Sequence, residues 1–146
     1  MGRIVVSEFV SLDGVMEDPV GFAAKMNAMP KYVVSNTLTD AKASWHNSTV
    51  VRGDAAAEVK ALKEAVAGDL LVAGSASLVQ TLVEHGLVDE FRLMVFPIVL
   101  GSGKRLFGDV SEAPVLALDG ITTIGDGIVI LTYHPAAAGS AGTDAA

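Results

Sequence analysis

The chain has no cysteine. That excludes disulfides, iron–sulfur clusters and thiolate zinc sites, and it leaves an intracellular location as the expectation. Aromatic residues make up only 5% of the sequence, so the core has to be assembled mainly from Val, Leu, Ala and Met. Positive charge is scarce as well: Lys and Arg number 10 against 17 Asp and Glu, a formal net charge of −7. Nucleic acids and anionic membranes are bound with a surplus of Lys and Arg, so neither is expected as a partner. No uninterrupted apolar run approaches the roughly 20 residues that span a bilayer. The N-terminal stretch MGRIVVSEFVSLDG is broken by Ser7 and Glu8 before it could form a signal-peptide apolar region. A soluble, cytoplasmic protein is expected.

What is present is a strongly patterned chain. Its 146 residues are 51% hydrophobic and 18% charged, enough for one domain with a substantial core. Arg3–Val10 is rich in β-branched residues and runs into Ser11-Leu12-Asp13-Gly14, a strand followed by a turn. KYVVS (31–35) and STVVR (48–52) read as two further short strands. Asp54 is placed to cap a helix whose apolar positions Val59, Leu62 and Val66 recur at helical spacing, with Gly68 as its C-terminal cap. DLLVA (69–73) shows no polar alternation, as expected for a strand covered on both faces. Leu78, Val79, Leu82 and Val83 then form one stripe of a second helix, which His85 and Gly86 stop. Val88–Phe96 reads as a strand ended by Pro97. Val115–Ile124 and Ile128–His134, joined by Gly125-Asp126-Gly127, read as an antiparallel hairpin. Residues 135–146 are small and featureless and are expected to be a disordered tail. The order predicts an α/β domain over residues 1–134, with a mixed, mostly parallel sheet and an antiparallel edge.

Two loops bear on chemistry. In LVAGSASLVQTL (71–82) a strand delivers Gly74 to the start of a helix, where unpaired backbone N–H groups and a partial positive charge suit a phosphate. Ser75 and Ser77 could add hydroxyl donors; equally, either could be a plain N-cap and Gly74 a turn residue. LGSGK (100–104) lacks the spacing of a nucleotide P-loop, and Arg105 follows its lysine. It reads as a loop between strands that could lie beside a bound ligand. His46, His85 and His134 have no metal-ligand spacing, and no metal site is expected. His85 is accounted for by the helix C-terminus, and Asp89-Glu90 by a solvated strand entrance. Asp13, in the loop after the first strand, is the carboxylate that stands beside a candidate site.

IVVSEFVSLDGVME (4–17), KYVVSNTLTDAKASWHNSTVVRGD (31–54), DLLVAGSASLVQTLVEHGLVDEFRLMVFPIVLGSGKRLF (69–107) and the final hairpin follow one another over most of the chain. Together they resemble the dihydrofolate reductase-like superfamily, most closely the reductase domain of riboflavin biosynthesis (the RibD C-terminal domain) and its uncharacterised bacterial relatives. The resemblance implies a three-layer α/β fold in which NADPH lies across the carboxyl ends of the strands. It also implies hydride transfer to a small pyrimidine- or pterin-like substrate. Residue by residue, Ala73, Gly74, Ser75, Ala76, Ser77 and Leu78 match the turn that holds the cofactor pyrophosphate. Ser35, with Asn36 and Thr37 beside it, matches the position facing the adenosine ribose and its 2′-phosphate. Ser11, Leu12, Asp13 and Gly14 match the loop flanking nicotinamide and substrate, which makes Asp13 the candidate catalytic residue. Phe96, Pro97 and Gly101, Ser102, Gly103, Lys104 lie towards the substrate side.

The sequence departs from that pattern at one place. Relatives carry another strand, flanking helices and a Gly-Arg-x-Thr-type turn between the first-strand loop and KYVVS. Here Val20-Gly21-Phe22 joins the two almost directly, an apparent deletion near residues 20–22. The expected activity is therefore that of an NADPH-dependent reductase resembling the uracil reductase of riboflavin synthesis. The alternatives are a dihydrofolate reductase-type activity or a non-catalytic dinucleotide-binding module with an incomplete site. Apolar strands and the habit of relatives lead to a homodimer as the expected assembly.

Overall fold

A computed structural model describes residues 1–11, 27–108 and 114–136, with side chains described outside residues 8–11. The expectations for Leu12, Asp13, Gly14, the interval near residues 20–22 and most of the 135–146 tail lie outside the described residues. Seven strands are described: β1 (Arg3–Ser11), β2 (Lys31–Val34), β3 (Ser48–Val51), β4 (Asp69–Val72), β5 (Glu90–Phe96), β6 (Leu116–Ile124) and β7 (Ile128–Pro135). Two helices, α1 (Ala55–Ala65) and α2 (Ala76–Glu84), and one short 3-10 turn at Asp40–Lys42 accompany them. The five-stranded sheet has the order β4-β1-β5-β7-β6, and β2 and β3 pair as a separate parallel ribbon. β4, β1 and β5 are parallel, whereas β7 and β6 run antiparallel. This is the mixed, mostly parallel architecture that the element order predicts.

Local chemistry explains the elements. Asp54 caps α1 by accepting a hydrogen bond from the Ala57 backbone N–H at 2.9 Å, satisfying a donor that the first helical turn leaves free. Ser75 does the same for α2 through Leu78 N–H. α2 ends at His85, whose ring Nδ1 lies 2.9 Å from the Thr81 carbonyl oxygen, and Gly86 follows at φ +61°. The β6–β7 turn is Gly125-Asp126-Gly127, with both glycines at positive φ. α1 ends two residues earlier than its glycine suggests: Val66 is the C-cap, and Gly68 lies beyond it at φ +104°.

The core forms on one face of the sheet. Ile4 and Val6 of β1, Phe91 and Leu93 of β5, Val59 of α1, Val79 and Leu82 of α2, and Leu106 make one cluster. Ile4, Val6, Val79 and Leu82 have no exposed surface and Leu106 has 1%, so each contributes about 1.5–3 kcal/mol of burial. β4 departs from expectation. It is the end strand of the five-stranded sheet rather than a strand covered on both faces, and Leu71 is 53% exposed. An unbroken apolar run records the absence of polar alternation, not where the strand sits in the sheet.

Asp89 and Glu90 mark the strand entrance as expected, but neither is simply solvated. The Asp89 carboxylate accepts from Ile4 N–H at 2.7 Å and from the Lys63 ammonium at 2.5 Å. It thereby ties the start of β1 to the end of α1. Glu90 accepts from Arg3 and Arg92.

Candidate functional site

The carboxyl ends of three parallel strands lie along one edge of the sheet. There β1 ends at Ser11 in register with Phe96 of β5, and β4 leads through Ala73 to Gly74. Open α/β sheets bind their ligands at such an edge. Gly74 has φ +83°, a conformation that side chains rarely adopt, and the Gly74–Ser75 peptide bond is cis. The chain then enters α2 directly. Its apolar side, Ala76, Val79 and Leu82, is buried in the core, which leaves Ser75 and Ser77 exposed on the other side.

The two hydroxyls stand close together. Ser75 Oγ lies 2.9 Å from Ser77 Oγ, and Ser75 Oγ accepts from Leu78 N–H at a long 3.5 Å. The first intrahelical bond runs from Val79 N–H to the Ser75 carbonyl at 3.0 Å, so the amides of the first turn precede the helix's own bonding pattern. Such amides present donors and the positive end of the helix dipole. Ser75 is thus the cap of α2, and its capping role leaves the first-turn amides compatible with an anion beside them.

The 104–108 segment faces this helix start. A cleft of about 540 Å³ is lined by Ser75, Ala76, Ser77 and Gln80 on the α2 side and by Lys104, Arg105, Phe107 and Gly108 on the other, a size typical of small-molecule sites. Leu106 fastens the segment by burying its side chain in the core. The Phe107 ring meets Phe91 edge-on at 5.6 Å. Gln80 Nε2 donates to the carbonyl oxygens of Arg105 and Leu106, each at 3.3 Å. The sequence expectation puts Lys104 on the substrate side and Gly74–Ser77 on the cofactor side; the fold brings Lys104 and Ser75, Ala76 and Ser77 onto one cleft, with Gly74 just before it. It also adds Gln80, Arg105 and Phe107, which the sequence reading did not single out. Arg105 had a visible signal in its position after Lys104, but only the packing of Leu106 shows that the pair turns towards α2.

The other expected residues sit elsewhere. Ser35 follows β2 and its Oγ accepts from the N–H groups of Thr37 at 3.4 Å and Leu38 at 3.1 Å. Asn36 is clasped to Gly53, accepting from its N–H at 2.7 Å and donating to its carbonyl at 3.1 Å. Both side chains thus shape the turn that leads towards α1, and neither lines the α2 cleft. Phe96 and Pro97 close β5, where Ile98 N–H bonds back to the Phe96 carbonyl at 2.8 Å. Gly101 and Gly103 adopt positive φ in the following loop, and with Ser102 they lead into Lys104 without lining the cleft. Asp13 lies outside the described residues. Among the described residues no three His, Asp or Glu side chains are grouped to hold a metal ion, and no helix is long and apolar enough to cross a membrane.

The described ion pairs lie away from the cleft. Arg3 grips Asp69 with two hydrogen bonds, at 2.9 and 2.7 Å. They hold the Asp69 carboxyl below its ordinary range, with the charges of Arg3 and Arg92 assisting, and raise the Arg3 guanidinium in return. This pair stands at the start of β4, the opposite end from Gly74, and is structural. Arg52 pairs with Asp40 at 2.9 Å, and Lys63 and Arg92 are paired as described above. Lys104 and Arg105 make no hydrogen bond through their side chains and no ion pair among the described residues, and both line the cleft.

Comparison with known proteins gives the family and the fold. The sequence model of the family described as the RibD C-terminal domain matches residues 15–130. The uncharacterised protein YyaP of Bacillus subtilis (strain 168) is 38% identical over 111 residues, 75% of this chain and 56% of that protein. The uncharacterised protein YwjB of the same organism is 32% identical over 80 residues, 55% of this chain and 46% of that protein. The chain thus spans about half the length of these relatives. Among solved structures, a candidate riboflavin biosynthesis protein of Shewanella sp. PV-4 superposes with a TM-score of 0.73 at 19% identity, covering 92% of this chain and 99% of that one. Dihydrofolate reductase from Enterococcus faecalis, complexed with NADP(H), superposes with a TM-score of 0.65 at 11% identity, covering 91% and 96%. At such identities these structures show the fold, which is dihydrofolate reductase-like.

Proposed function

Because the chain belongs to the RibD C-terminal domain family, we propose that it is an NADPH-dependent reductase. Hydride passes to a small heteroaromatic acceptor of the pyrimidine or pterin type, in the manner of a 5-amino-6-(5-phosphoribosylamino)uracil reductase such as the bifunctional Thermotoga maritima protein, whose fold this chain shares. The observation that carries the reading is the cleft at the start of α2, where exposed hydroxyls, helix amides and two cations without an ion-pair partner among the described residues converge at the carboxyl edge of the sheet. That donor set fits the phosphates of a dinucleotide.

NADPH supplies the hydride when bound, and the protein's part is to bind, orient and exclude water. Ser75, Ser77 and the first amides of α2 hold the phosphate-bearing portion. Gly74, without a side chain, permits close approach of the backbone. Phe96 and Pro97, at the end of the neighbouring strand, border the side where the acceptor enters, and Ser11, Leu12 and Gly14 are proposed substrate-side residues. Asp13 is the proposed residue that assists protonation of the reduced acceptor. Ser35, Asn36 and Thr37 keep their proposed place beside the adenosine ribose, with Asn36 acting through the turn it clasps. The active unit is a homodimer and cytoplasmic in this reading, which light scattering and fractionation test.

The experiment follows loss of nicotinamide absorbance with NADPH and, in separate reactions, the riboflavin-pathway aminouracil, dihydrofolate and a quinone. Turnover of the aminouracil or of dihydrofolate supports the reading and chooses between the two substrate classes. Tight NADPH binding with no oxidation by any acceptor favours instead a non-catalytic dinucleotide-binding module, the alternative that the short interval between Gly14 and Pro30 recommends. No NADPH binding at millimolar cofactor rejects both.

A further inference from the structure

We propose that Lys104 and Arg105 are the phosphoryl-binding cations of this protein, carried on a segment that is fastened to α2 so that a phosphoryl group is held between them and Ser75 and Ser77. The proposal rests on reading the cleft as a site for a phosphorylated ligand, and it extends that reading by assigning the charge.

The first support is how this protein uses its cations. In a chain of net charge −7 with only 10 Lys and Arg, four of the nine described cations are committed to carboxylates: Arg3 to Asp69 and Glu90, Arg52 to Asp40, Lys63 to Asp89, Arg92 to Glu90. Lys104 and Arg105 are adjacent in sequence, have no such partner among the described residues, and line a common cleft. Lys42 and Lys60 are also unpaired there, but they do not line it. Two positive charges side by side repel each other, and a dianion between them and a pair of hydroxyls relieves that repulsion.

The second support is that the segment is built rather than loose. Leu106 is 1% exposed, Phe107 packs edge-on against Phe91, and Gln80 Nε2 donates to two successive backbone carbonyls, those of Arg105 and Leu106. Carbonyl oxygens facing an anion would repel it. The Gln80 amide occupies two of them and leaves hydroxyls and cations as the polar lining. Gly108 completes the fit, since a Cβ there would stand 3.0 Å from Gln80 Cδ. Gln80 is accordingly a positioning residue for the cationic pair.

The phosphoryl group could come from the dinucleotide or from a phosphorylated acceptor, and calorimetry on the full chain separates the two with NADPH and ribose phosphate as probes. Wild type is compared with a Lys104→Met/Arg105→Gln double variant and with a Lys42→Met/Lys60→Gln control of equal charge change. The expected result is a loss of about tenfold or more in affinity for at least one probe in the cleft variant. The control should stay within about twofold, and the wild type's weakening by salt should be reduced in the cleft variant. If ribose phosphate alone binds wild type and loses affinity in the cleft variant, the proposal stands while the NADPH reading falls. If NADPH binds wild type and neither probe binds the folded cleft variant more weakly than wild type, the proposal is overturned while the NADPH reading stands. If neither probe binds wild type, the proposal is overturned.

Discussion

Leu106 joins the fold to the site, and Leu106→Ala measures that link. The side chain is 1% exposed and belongs to the cluster that contains Val79, Leu82 and Phe91. Truncation removes roughly three methylene equivalents, worth about 0.8 kcal/mol each. The cavity left among Val79, Leu82 and Phe91 adds to that, because rigid strand and helix residues collapse little, for a total of about 3–4 kcal/mol. In a chain of this size such a loss lowers the melting temperature by about 10 °C. Urea titration followed by circular dichroism gives the free energy, and the denaturant slope reports whether the transition stays two-state. A second consequence separates packing from positioning. Leu106 also fixes the backbone carbonyls that Gln80 binds, so the variant should bind phosphorylated ligands more weakly even at temperatures where it is fully folded. A loss below about 1 kcal/mol would show that Leu106 is not packed as described, and the fastening of the 104–108 segment would have to be abandoned.

Other positions give independent checks. A Cβ at Gly2 would stand 2.5 Å from the Gly68 carbonyl oxygen and 2.8 Å from that of Val66; Gly2→Ala should therefore destabilise by about 1–3 kcal/mol, and an unchanged melting temperature would refute the close approach. Asp89→Ala strands the Lys63 ammonium, which is only 14% exposed, and frees the Ile4 amide; thermal melts should show a loss of about 2–4 kcal/mol, while Asp89→Asn should lose less. The Asp69 carboxyl is held below its ordinary value of 3.8 by the Arg3 hydrogen bonds. Its stabilisation is thus present above the unfolded value and lost as pH falls through the folded one. Wild type and Asp69→Asn should therefore differ at neutral pH and converge in acid, and a gap that widens in acid would contradict the sign.

Much of the fold is legible in the sequence because its signals are local. Asp54 and Ser75 are polar caps immediately before apolar helical stripes, Gly125-Asp126-Gly127 is a turn between two apolar strands, and Gly86 marks a helix end. The position of β4 is not local. DLLVA would read the same in the middle of a sheet, and only the strand order makes Leu71 an exposed residue. The role of Asp89 is equally hidden, since its partners Ile4 and Lys63 are distant in sequence and become neighbours only when β1 and α1 have docked. Half of the cleft was readable at Gly74–Ser77. Its cationic half depends on β5 delivering the following loop back onto α2, which no periodicity encodes. Arg105 counted against a P-loop in the sequence and proves to line the cleft through Leu106 packing.

The central claim is that the start of α2 together with Lys104 and Arg105 is where the cofactor phosphates bind. Titrating NADPH into isotope-labelled protein and following the backbone amides by NMR tests it most directly. The account predicts that the Ser75, Ala76, Ser77, Lys104 and Arg105 amides shift together along one saturable isotherm, with Asp69 and Leu118 unmoved. Saturable binding that leaves those five amides in place, or no binding at all, would contradict it.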